Sequence, residues 1–123
     1  MRSCGHGYPP AALGRVMERI SIRELAEWQA AGRCFELLDV RRANVRNADG
    51  AQIAEAKWDD PEQLFSWKDQ VPRDRPVVLY CARGHEISQG CAATLWAMGL
   101  DGRYLVDGFA GWLEAKQPVC DLV

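Results

Sequence analysis

Apolar residues fall along the chain in short blocks that alternate with stretches of helical spacing. Cys34-Phe35-Glu36-Leu37-Leu38-Asp39-Val40, Val77-Val78-Leu79-Tyr80 and Arg103-Tyr104-Leu105-Val106 are compact runs. Such runs suit strands of a parallel sheet covered on both faces. Val77–Tyr80 is the most apolar and β-branched of them and predicts the central strand. Asp39 is expected at a strand tip where the strand meets solvent. A further short strand is predicted over Val16–Ile20.

Between these runs the spacing changes to that of helices. Ser21 followed by Glu24 has the form of a capping box, and Ile22, Leu25, Ala26 and Trp28 can share one packed side. A helix over Ile22–Ala31 is predicted, stopped by Gly32. Ile87, Cys91, Leu95 and Met98 recur at helical spacing, with Gly99 at the end. Short helices are also predicted over Pro61–Trp67, opened by its proline, and over Phe109–Lys116. Arg41–Lys57 is irregular and polar and reads as a loop. Strands alternating with helices imply an α/β fold, a mainly parallel central sheet flanked by helices.

The chain has 123 residues, enough for one core and hence one domain, here taken as 16–123. Residues 1–15, with Gly5, Gly7, Gly14, Pro9 and Pro10, read as a flexible lead-in. A net charge of -2 gives no basic field, so nucleic acid is not an expected partner. No apolar run approaches the roughly 20 residues needed to cross a bilayer, so no membrane role is expected.

Five cysteines are scattered at Cys4, Cys34, Cys81, Cys91 and Cys120, with no CxxC pair. Reduced thiols in a cytoplasm are the expectation. With two histidines, His6 and His85, neither a metal site nor a resident cofactor is indicated.

One cysteine is placed for chemistry. Cys81 directly follows the central strand and precedes a helix, the end of an open parallel sheet where ligands gather. The amides of a tight loop and the dipole of the following helix favour an anion, and so a thiolate. Gly84 would let the segment Cys81-Ala82-Arg83-Gly84-His85-Glu86 close around it, with Arg83 adding a positive charge. The alternative is a small buried apolar cysteine beside a turn glycine. Cys91, on the apolar stripe of the next helix, reads as core.

Four pieces, in this order and spacing, resemble the rhodanese-like domains. They are Ile20-Ser21 with Glu24-Leu25, Leu37-Leu38-Asp39-Val40-Arg41, Val77-Val78-Leu79-Tyr80-Cys81 with Gly84, and Leu105-Val106-Asp107-Gly108-Phe109-Ala110-Gly111-Trp112. The resemblance spans roughly Ile20 to Val119. It implies a single rhodanese-like domain in which Cys81 accepts sulfane sulfur from a small-molecule donor such as thiosulfate. The sulfur then passes to a thiol or cyanide acceptor. Ala82, Arg83, Gly84, His85 and Glu86 would form the cradle, with Asp39 and Arg41 in support.

A six-residue loop suits one sulfur, whereas longer-looped relatives take phosphate or arsenate, so phosphatase activity is not expected. The chain departs from the family pattern at two places. Gly50-Ala51-Gln52-Ile53 stands where many members have Gly-His-Ile, and Glu86 stands where many have arginine. A carboxylate there would repel thiosulfate. Two other functions fit the same residues: a rhodanese-like module that binds or senses without turnover, and a thiol-based reductase of metal oxyanions.

Overall fold

The computed structural model describes residues 18–122. The predicted lead-in and the first two residues of the predicted Val16–Ile20 strand lie outside them. Five parallel strands form the main sheet: β1 (Glu18–Ile20), β2 (Glu36–Asp39), β4 (Lys57–Trp58), β5 (Val77–Tyr80) and β6 (Gly102–Leu105). Their order is β1-β6-β5-β2-β4, which makes β5 the central strand. Its neighbours register Leu38 against Leu79 and Leu79 against Tyr104.

The unbroken apolar run of β5 follows from that position. Val78 and Tyr80 face one core with Leu37, Phe109 and Trp112, while Val77 and Leu79 face the other with Leu38, Cys91 and Leu95. Both faces are covered, so polar alternation is absent. Truncating a fully buried residue such as Leu79 to alanine would cost about 2–5 kcal/mol.

Helices α1 (Ile22–Ala30) and α5 (Gly108–Glu114) supply the first core, and α4 (Glu86–Ala97) supplies the second. The capping box at α1 is formed: Glu24 N–H donates to the Ser21 hydroxyl at 3.1 Å and Ser21 N–H to the Glu24 carboxylate at 3.2 Å. Gly32 takes the left-handed conformation after the helix. The segment after Pro61 forms a 3-10 turn (Pro61–Gln63), α3 (Leu64–Trp67) and a second 3-10 turn (Lys68–Gln70).

Three expectations are corrected. Arg41–Lys57 is not a loop: it holds α2 (Ala43–Asp49) and β3 (Ala51–Ile53) and leads into β4. No residue of α2 is buried, so it lacks an apolar stripe, and β3 pairs antiparallel with β7 (Val119–Asp121) at the far end of the chain. Neither signal is local. Asp39 does not meet solvent but is wholly buried, because its ion pair with Arg41 folds over the strand end. Cys81, Cys91 and Cys120 are free thiols, but Cys34 is disulfide-bonded, against the expectation of reduced thiols throughout.

Candidate functional site

The C-terminal ends of β2 and β5 lie side by side, joined beyond the register by Val40 N–H donating to the Tyr80 carbonyl at 2.9 Å. The chain leaves β5 at Cys81, crosses 82–85, and enters α4 at Glu86. Two main-chain bonds fasten the start of this loop to α5. Phe109 N–H donates to the Cys81 carbonyl and Ala110 N–H to the Ala82 carbonyl, each at 2.9 Å.

The turn before α5 fits closely behind the loop. Gly84 is left-handed (φ +74°), and a Cβ there would stand 2.6 Å from the Leu105 carbonyl. A Cβ on Gly108 (φ +56°) would come within 2.5 Å of the Cys81 carbonyl and 2.6 Å of the Gly84 nitrogen. Both glycines are therefore required by space as well as by backbone conformation. The run Val106-Asp107-Gly108-Phe109 thus serves as the mould for the cysteine loop.

Cys81 is 6% exposed, with its Sγ 3.2 Å from the Oγ of Ser88 in the first turn of α4. Ser88 is itself fully buried. Among the described residues the amides of 82–88 donate to no main-chain carbonyl. Above the sulfur opens a cleft of about 370 Å³, lined from the loop by Cys81, Ala82, Arg83, His85 and Glu86 and closed on other sides by Arg41, Arg42, Val45 and Ile87.

The structure therefore brings the five cleft-lining loop residues together, with Gly84 buried beneath them. Glu86 is exposed in the first turn of α4, where a carboxylate is favoured by the helix dipole, and its side chain also borders the cleft.

Asp39 and Arg41 form the buried bracket beside the loop. The Asp39 carboxylate accepts from Arg41 N–H at 3.1 Å, Nε at 3.0 Å and Nη2 at 2.7 Å. Arg41 also donates from Nη1 to Asp49 at 2.9 Å and from Nη2 to the Ala51 carbonyl at 2.7 Å. Burial opposes its charge, but the carboxylates of Asp39 and Asp49 outweigh that and hold the guanidinium above its ordinary pKa. Its plane lies over Phe109, 4.1 Å from the ring centroid. The bracket thus leads from β2 through Arg41 and Phe109 to the Cys81 carbonyl. Tyr80, whose hydroxyl accepts from Ile53 N–H at 3.1 Å, stacks on the same ring. Burial, followed by the nearby Asp39 charge, raises its phenol and keeps it neutral.

Sequence reasoning missed Ser88, Arg42, Val45 and Ile87, the last of which it placed only on the apolar stripe of the helix. Ser88 had a usable signal, since a hydroxyl residue in the first turn after a strand-end cysteine can turn back toward the sulfur. Arg42 and Val45 reach the cleft from a segment misread as loop.

A cysteine in a tight strand-to-helix loop at the carboxyl edge of a five-stranded parallel sheet marks an α/β domain with a thiol at the sheet end where ligands gather. The chain belongs to the rhodanese-like domain family, whose model matches residues 21–115. It is 31% identical, over 94% of its length, to the probable adenylyltransferase/sulfurtransferase MoeZ of Mycobacterium tuberculosis, and spans 29% of that protein. Its fold is similar to that of a rhodanese-related protein from Thermoplasma volcanium (TM-score 0.72, 24% identity, covering 83% of this chain and 96% of that one). It is also similar to a rhodanese-like domain from Anabaena (TM-score 0.73, 21% identity, covering 87% and 81%). Among the described residues no helix is long and apolar enough to cross a membrane.

Proposed function

We propose that this domain is a sulfurtransferase that carries sulfane sulfur as a persulfide on Cys81. The observation that carries the reading is Cys81 at the floor of the cleft, its sulfur beside a buried hydroxyl and its loop amides unclaimed by the main chain. Those donors suit an anionic sulfur. Family membership and the sulfurtransferase in the description of the relative MoeZ support the same chemistry.

In the loading step the Cys81 thiolate attacks the outer sulfur of a small-molecule donor such as thiosulfate. The donor's S–S bond breaks, sulfite leaves with the bonding pair, and Cys81 keeps the sulfur as a persulfide anion. In the unloading step a thiol or cyanide attacks that outer sulfur, and the electron pair returns to Cys81 as thiolate. Ser88 and the amides of 82–88 stabilise the sulfur anion in both resting states, with no metal or organic cofactor taking part. Neither nucleic acid nor a membrane has a role in this reading.

Glu86 on the cleft border sets the donor preference. Its carboxylate opposes the doubly charged thiosulfate more than a neutral or thiol-linked donor. The same feature favours a second reading, a domain that binds without turnover. Intact-protein mass after exposure to thiosulfate, mercaptopyruvate and a low-molecular-weight persulfide separates the two. One added sulfur identifies the donor class; no addition from any donor would leave the binding module.

A further inference from the structure

At about 370 Å³ the cleft over Cys81 is far larger than one sulfur atom requires and falls in the range of roughly 300–1,000 Å³ typical of small organic ligands. Its charged groups differ in whether the protein already satisfies them. Arg41 is spent: it is 1% exposed and its guanidinium is bonded to Asp39, Asp49 and the Ala51 carbonyl. Arg42, Arg83 and Glu86 are exposed. None of these three forms an ion pair or side-chain hydrogen bond among the described residues, although they border one cleft. They come from three segments: Arg42 from the turn before α2, Arg83 from the cysteine loop, Glu86 from the first turn of α4. Val45 and Ile87 supply apolar wall between them.

A ligand complementary to this set has carboxylate for the arginines, an ammonium group for Glu86, and a short aliphatic body. We propose that the sulfur acceptor is a small zwitterionic thiol of amino-acid or short-peptide type, held by Arg42 and Arg83 through carboxylate and by Glu86 through ammonium. The proposal rests on the sulfurtransferase reading of the same site. The acceptor's thiol proton passes to solvent and its thiolate attacks the outer sulfur of the Cys81 persulfide. The S–S bond breaks, its electron pair stays on Cys81, and the acceptor leaves as its own persulfide. No external oxidant or reductant is needed.

The same charges account for Glu86 in place of arginine. A third cation would hold carboxylate more strongly but would repel ammonium. Glu86 thus selects against simple dianions and for molecules that carry both charges.

Two measurements test this. In the first, the persulfide-loaded protein is offered cysteine, glutathione, 3-mercaptopropionate, cysteamine and 2-mercaptoethanol, each at the same thiolate concentration. Cysteine and glutathione should discharge it about tenfold faster than 2-mercaptoethanol. That advantage should shrink in Arg42→Ala and Arg83→Ala. Glu86→Gln should erase the preference for glutathione over 3-mercaptopropionate. Equal rates for all five thiols, or an unchanged ratio in the arginine variants, would overturn the proposal.

The second measurement does not depend on sulfur transfer. The rates of iodoacetate and iodoacetamide are compared at Cys81, with the exposed free thiol Cys120 as internal reference. Taking the ratio at each site cancels its thiolate fraction. The iodoacetate-to-iodoacetamide ratio should be higher at Cys81 than at Cys120 by several-fold and should fall in both arginine variants, with Arg42→Lys retaining part of it. A ratio at Cys81 no higher than at Cys120 would overturn carboxylate recognition. Failure of every donor to load Cys81 would remove the transfer reading and the acceptor role with it, a result distinct from either of these.

Discussion

Cys81 and Cys91 lie at the start and on the inner face of the same strand-to-helix unit, and they are almost equally hidden, at 6% and 4% exposure. Their surroundings differ in kind. Cys91 packs among Leu38, Val40, Leu79 and Leu95, where burial first, and the neighbouring Cys81 second, push its thiol up to about 11. Cys81 has the Ser88 hydroxyl at 3.2 Å from its sulfur and lines a cleft bordered by the charged side chains of Arg42, Arg83 and Glu86. Burial alone therefore says little about a thiol's chemistry; the polarity of the atoms facing the sulfur decides it.

The hardest test of this contrast is Cys81→Ser. Oxygen replaces sulfur at similar size, but a serine hydroxyl is not ionised at neutral pH, so sulfur loading should vanish while the fold is kept. Persulfide formation persisting in that variant would make the two cysteines equivalent or transfer the role elsewhere.

Asp39→Asn attacks the bracket that holds the Cys81 loop from behind. It leaves the buried Arg41 without the carboxylate that meets its Nε and Nη2, and should cost about 3–5 kcal/mol of stability. Thermal unfolding measures the loss. Because Arg41 stacks on Phe109, whose N–H holds the Cys81 carbonyl, hydrogen exchange should rise at Phe109 and Ala110 before it rises around Cys91. Uniform loosening would mean that the bracket has no special link to the loop.

Much of this contrast could be read in the sequence, and the reasons are local. Cys81 follows a β-branched run and precedes a stripe at Ile87, Cys91, Leu95 and Met98, so strand, loop and helix declare themselves within a few residues. The capping box at Ser21 and Glu24 is equally local. The features missed depend on partners distant in sequence. β3 is a strand only because β7 pairs with it, and Asp39 is buried only because Arg41 is clamped by Asp49 and the Ala51 carbonyl. Arg42 and Val45 became part of the site once α2 replaced the expected loop. The Cys34 disulfide was invisible for the same reason, since spacing does not reveal pairing.

A smaller effect is expected at the cleft border. Glu86→Arg should raise kcat/KM for thiosulfate by about tenfold, with a smaller gain for Glu86→Gln. If Glu86 acts only on the helix dipole, thiosulfate kinetics will stay unchanged and the melting temperature of Glu86→Arg will fall slightly. Measuring both quantities in both variants separates the roles.

The smallest change belongs to Cys91. Cys91→Ser should keep most of the activity and lose about 1–2 kcal/mol of stability through a hydroxyl placed in an apolar site. The Cys91 thiol also adds a pH signature. Its folded pKa is raised from 9.0 to about 11, so its contribution is fully present below the unfolded value and is lost as pH rises through that window. The stability of the native protein should therefore fall more steeply between about pH 9 and 11 than that of Cys91→Ala. Parallel slopes would mean that Cys91 is solvated.

The contrast reduces to which sulfur carries the load. The native protein is treated with the donor that adds one sulfur, its thiols and persulfide are trapped by alkylation, and the peptides are mapped by mass. The expected result is the extra sulfur on the peptide containing Cys81, removed by cyanide, with none on those containing Cys91 or Cys120. Sulfur on Cys91 or Cys120, or spread evenly across all three, would contradict the central claim.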